Sequence, residues 1–145
     1  MRKLLTIAFL LGALAPAAAQ HQHHDGAAAP AAASALPQAC RADVPEGAAS
    51  PHAAMDHGAM NAHQQANMAG MAQMDRDMMA GMMQEDADMA FMCGMIAHHQ
   101  GAIAMAETVL AHGDDAEAKA LAQRIIDAQK AEIAEMTAWV ERNAR

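Results

Sequence analysis

From about residue 87 onward, large apolar side chains recur at intervals of three and four, the period of a helix that buries one side, and nowhere do they alternate as a strand requires. At about 100° per residue, Met92, Met95, Ile96, His99, Ile103 and Leu110 share one face. Phe91, His98, Ala102, Met105 and Val109 form a second stripe on its flank. Farther along, Leu121, Ile125, Ile126, Ile133, Met136, Trp139 and Val140 make another apolar face, interrupted by Gln129 and Glu132, which therefore point at a partner helix. Asp86 or Asp88 is suited to cap the first of these helices, which should run to about His112, where Gly113 fits the left-handed position after a helix end. Asp114, with Glu117 three residues on, has the capping-box arrangement that starts the next, predicted to end near Arg142. Two long helices joined by so short a turn lie antiparallel, as an αα-hairpin.

The apolar alphabet changes upstream. From Pro51 to Met83 there is no Leu, Ile, Val, Phe or Trp, yet the stretch holds Met55, Met60, Met68, Met71, Met74, Met78, Met79, Met82 and Met83. Steps of three, four and four from Met71 through Met74 and Met78 to Met82 keep these thioethers on one side of a helix, predicted over residues 60 to 81. The expected architecture is an all-α helical bundle, an antiparallel hairpin over 84–143 joined to a Met-rich segment over 51–83. A hairpin of about 55 residues is small for an independent core. Its face of Ala90, Gly94, Ala97 and Gly101, small enough for close approach, should therefore be covered by the Met-rich helix or by a second copy in a homodimer.

Ahead of these segments the chain reads as an address and a leader. Arg2 and Lys3 precede an apolar run from Leu4 to Leu14, and Ala17, Ala18 and Ala19 satisfy the small-residue cleavage rule, so residues 1–19 are expected to be a signal peptide. Residues 20–50 are rich in Ala, Pro, Gly, Gln and His and are expected to form a disordered leader. His21, His23 and His24 cluster at its start, as a metal-binding tract or as a solvated tail. No later stretch approaches the roughly 20 apolar residues of a membrane span, which leads us to expect a periplasmic or secreted protein. In such a compartment Cys40 and Cys93 can form one disulfide; otherwise they are buried thiols, or Cys93 is a ligand.

Charge narrows the partners. The net charge of -8 becomes more negative once Arg2 and Lys3 are removed, which disfavours nucleic acid and favours a cation. A Met stripe is ordinarily core filler, and a lone buried His is ordinarily a hydrogen-bonded core residue, here facing Glu132 or Gln129. Neither explains adjacent histidines among methionines in a chain whose last helix packs with Leu, Ile and Val and uses Met once. Thioether and imidazole together suit Cu(I), with Ag(I) as its mimic. No C-x-x-C or H-E-x-x-H points to zinc, and no E-x-x-H to a bundle iron site. The candidate donors are His98, His99, Met92, Met95, Met105 and Met136 on the hairpin, and Met71, Met74, Met78 and Met82 on the Met-rich helix.

The segments "DMAFMCGMIAHHQGAIAMA" and "LAQRIIDAQKAEIAEMTAW", together spanning Asp88 to Trp139, resemble the domain of unknown function 305 family. Its members show a double histidine followed by A-I-x-M-A, then a Q-x-x-E-I-x-x-M-x-x-W segment. The resemblance implies an exported ferritin-like helical bundle, in some members a periplasmic copper-binding protein of copper resistance. It carries over Asp88, Phe91, Met95, His98, His99, Met105, Gln129, Glu132, Met136 and Trp139. Two positions depart from the family pattern: Ala97 replaces the usual proline, and Ala104 a common acidic residue.

The function expected from these residues is Cu(I) or Ag(I) binding for sequestration, resistance or hand-over to a partner protein. No catalytic role is expected, since no nucleophile with a paired base and no phosphate loop is readable. The first rival is a metal-free interaction module with a buried His99–Glu132 pair and a Met-rich docking face, and the second is a copper-dependent oxidase or reductase.

Overall fold

A computed structural model describes residues 34–41 and 58–144. The signal segment, the histidines at 21, 23 and 24 and the rest of the leader apart from residues 34–41 lie outside the described residues. Three helices account for most of the rest: α1, Ala62–Met82; α2, Ala87–His112; and α3, Ala116–Asn143. No strand occurs among the described residues, and the molecule is an all-α helical bundle. None of these helices is long and apolar enough to cross a membrane.

Each start is capped by a side chain that satisfies backbone N–H groups left open by the first turn. Asn61 opens α1 with a capping box: Gln64 N–H donates to Asn61 Oδ1 at 3.1 Å and Asn61 N–H donates to Gln64 Oε1 at 2.9 Å. Asp86 accepts from Met89 N–H at 2.9 Å to open α2. α3 begins one residue later than predicted, capped by Asp115, which accepts from Ala118 N–H at 2.7 Å. Either aspartate offers the carboxylate, and Asp115 is the one that meets a first-turn N–H. Glu117 remains in the first turn, where the helix dipole favours it. Gly113 does end α2, but its φ of -78° and ψ of 155° are extended and not left-handed. Space explains the glycine: a Cβ there would stand 2.7 Å from the Val109 carbonyl oxygen.

α2 is the central helix, with α1 and α3 both packed along it. Its small-residue face receives α1, so cover comes from within the chain. Contact is close enough that a Cβ on Gly81 of α1 would lie 2.7 Å from the Cys93 backbone carbon, and one on Gly101 would run into Met74. The other side of α2 packs on α3, where Ala106, Ala122 and Ile126 are buried with Ile103, Val109, Leu110 and Ile125 around them.

Within the leader expected to be disordered from 20 to 50, residues 34–41 depart from that expectation, because they enter the larger core cluster. Leu36 and Cys40 are fully buried together with Cys93, Ile96, Ala97 and Val140. Cys40 and Cys93 form a disulfide with their Cα atoms 5.3 Å apart, which removes Cys93 as a ligand. A 3-10 turn, Gln38–Cys40, brings the sulfur into place. Arg41 Nε donates to Leu36 O at 3.0 Å and Gln100 Nε2 donates to Ala35 O at 3.2 Å, satisfying carbonyls of the segment. Leu36, the cross-link and these hydrogen bonds hold residues 34–41 against the helices despite a surrounding composition that suggests disorder.

Candidate metal centre

Met78 and Met82, four residues apart on α1, and Phe91, Met95 and His98, spaced by four and three on α2, come together because each set repeats at helical spacing. With Ala90 and Gly94 they line a groove of about 290 Å³. The small residues form its floor. A Cβ on Gly94 would stand 3.1 Å from Met82 Cγ, so the glycine allows Met82 to lie across the floor. Three thioethers and one imidazole thus share a solvent-open wall, with Phe91 and His98 exposed and Met78 and Met95 partly buried.

No charged side chain lines this groove. Asp77 precedes Met78 and is buried, and its Oδ2 accepts a 2.8 Å hydrogen bond from Gln73 Nε2. Neutral sulfur and nitrogen donors without carboxylate oxygens suit a soft monovalent ion and offer little to Mg²⁺ or Ca²⁺. Among the described residues no three His, Cys, Asp or Glu side chains are grouped so as to hold a metal. The donor chemistry of the groove is therefore that of thioethers.

The histidine pair divides between two surroundings. His98 faces the groove, whereas His99 is buried and its Nε2 lies 2.5 Å from Glu132 Oε2 on α3. Of the two partners expected for His99, Glu132 holds it, and Gln129 Oε1 remains buried without a hydrogen bond. The His99 Nδ1 atom is buried and unpaired too. The two rings sit edge to face, with centroids 5.9 Å apart. An imidazole that gives one nitrogen to a carboxylate is arranged as metal-bound histidines usually are, but His99 does not line the groove.

The remaining candidates lie elsewhere. Met92 and Met136 pack against the Leu36–Cys93 cluster. Met74 fills the space over Gly101. Met71 is partly buried on α1, Met105 is exposed two turns beyond His98, and neither lines the groove. The sequence reading placed Gly94 and Ala90 on a helix-contact face and did not anticipate their role as the groove floor. The exposed Phe91, assigned to the same stripe as His98, was the available signal.

The model of a family described as Domain of unknown function (DUF305) matches residues 20–140. The chain belongs to that family. The match reaches well upstream of the Asp88–Trp139 resemblance and takes in the buried Leu36–Cys40 turn and all of α1. No curated protein matches the sequence. Membership in DUF305 therefore brings no activity with it, and chemistry has to be argued from the groove.

Proposed function

We propose that this chain binds Cu(I), and Ag(I) in its place, through Met78, Met82, Met95 and His98, and serves to sequester copper or hand it to a partner protein. The observation that carries this reading is the convergence of three thioethers and an imidazole in one uncharged groove. Its openness favours hand-over, because an incoming donor can reach the ion before the resident donors have all let go. The Cys40–Cys93 disulfide supports export to an oxidising compartment such as the periplasm, where it would persist. We assign the protein no catalytic chemistry.

A second reading draws on the His99–Glu132 contact, which fastens α2 to α3 without any metal. In that case the molecule is an interaction module and its pliable Met face docks a partner. Silver separates the two without a reductant. Met and Leu have similar volumes, and such exchanges cost under about 1.5 kcal/mol. The triple variant Met78→Leu, Met82→Leu, Met95→Leu should therefore keep its helicity by circular dichroism while losing most Ag(I) affinity in calorimetric titration. A folded triple variant that binds Ag(I) like the parent would leave the interaction module standing.

A further inference from the structure

The groove's thioethers differ in what covers them. Met78 packs against the main core cluster and Met95 is partly buried, whereas Met82, the last residue of α1, is 58% exposed. Met79 and Met83 beside it are similarly open, at 45% and 59%, but do not line the groove. They are a built-in control, matched in exposure and not in position.

We propose that Met82 is an oxidation-sensitive donor: a hydroperoxide converts it to the sulfoxide, and the groove then loses its hold on a soft monovalent ion. The sulfur lone pair attacks one peroxide oxygen as the O–O bond breaks and an S–O bond forms. Sulfur is oxidised by two electrons and the hydroperoxide is reduced to the alcohol, or to water from hydrogen peroxide. The product is polar and chiral, and it favours solvent over the apolar floor of Ala90 and Gly94. Its oxygen is a hard donor where a soft one is wanted. Ion binding and oxidation use the same lone pair, so each opposes the other. The effect on affinity rests on the proposed metal reading; the order in which the methionines oxidise does not.

The test treats the full folded chain with a low dose of hydrogen peroxide, with and without Ag(I), and maps each sulfoxide by peptide mass spectrometry. Without silver, Met82 should oxidise with Met79 and Met83 and ahead of Met78 and Met95. Silver should slow oxidation at Met82 and leave Met79 and Met83 unchanged. Peroxide-treated parent should bind Ag(I) as weakly as Met82→Leu, and the same dose should lower the affinity of that variant little further. Met82 oxidising no faster than Met78, or parent affinity retained once Met82 is the sulfoxide, overturns the proposal. A parent that never binds Ag(I) overturns the metal reading, and the affinity effect with it, while the oxidation order is still read.

Discussion

His98 and His99 are neighbours in sequence, but about 100° of helix separates them, and the structure turns that angle into two jobs. The separation is readable from the sequence. Which histidine meets α1 and which meets α3 is not, because it depends on how three helices are packed and no single stripe encodes that. A pair of substitutions tests the division. Glu132→Ala removes a side chain that is 56% exposed and leaves His99 Nε2 without its partner. It should cost about 1–3 kcal/mol of stability in urea denaturation. Ag(I) stoichiometry should be unchanged. His98→Ala removes an exposed ring and should move stability by no more than about 0.5 kcal/mol while weakening Ag(I) binding. Equal loss of silver binding in the two variants would put both histidines on one ion.

At the scale of elements, all three helices were legible with ends within about two residues from their period of apolar residues, and for α2 and α3 the capping aspartates agree with it. Three features escaped, the first being Gly113, which is extended and not left-handed. The cap of α3 fell on the second of two adjacent aspartates, each able to do the same work. The Leu36–Cys40 turn was hidden because its place depends on a partner 53 residues away, and local composition carries no trace of that. That cross-link has a measurable weight. Closing a loop of that separation is expected to stabilise the fold by about 4 kcal/mol in the chain-entropy model. Cys40→Ala with Cys93→Ala should lower the urea midpoint accordingly and expose Leu36 to solvent. A similar test applies to α1. Gly81→Ala drives a Cβ against α2 backbone, which cannot rotate away, and should cost about 1–3 kcal/mol. Silver binding should weaken with it, since Met78 and Met82 move when α1 moves. If Gly81→Ala leaves both quantities unchanged, the helices are not as close as described.

Across the whole molecule, an acidic chain of net charge -8 surrounds a groove lined only by neutral groups. These two facts divide binding into two stages. The field of many carboxylates concentrates cations near the surface and speeds encounter, an effect that salt screens over about 10 Å at 0.1 M. Once in the groove, a soft ion is held by sulfur and nitrogen donors whose bonds do not depend on distant charge. Glu85, Asp86 and Asp88 follow Met82 and Met83 in the chain but line a separate cavity with Trp139 and Asn143, so they act on an ion at the groove through their long-range field alone. Asp86 caps α2 and is best left alone. Glu85→Gln with Asp88→Asn should slow Ag(I) association in stopped-flow measurements at low ionic strength, and the difference from the parent should fade as sodium nitrate is added. Dissociation should be the same for both proteins at every salt concentration. A dissociation rate that rises with these substitutions would mean that the carboxylates hold the ion themselves, and the donor set would then have to include oxygen.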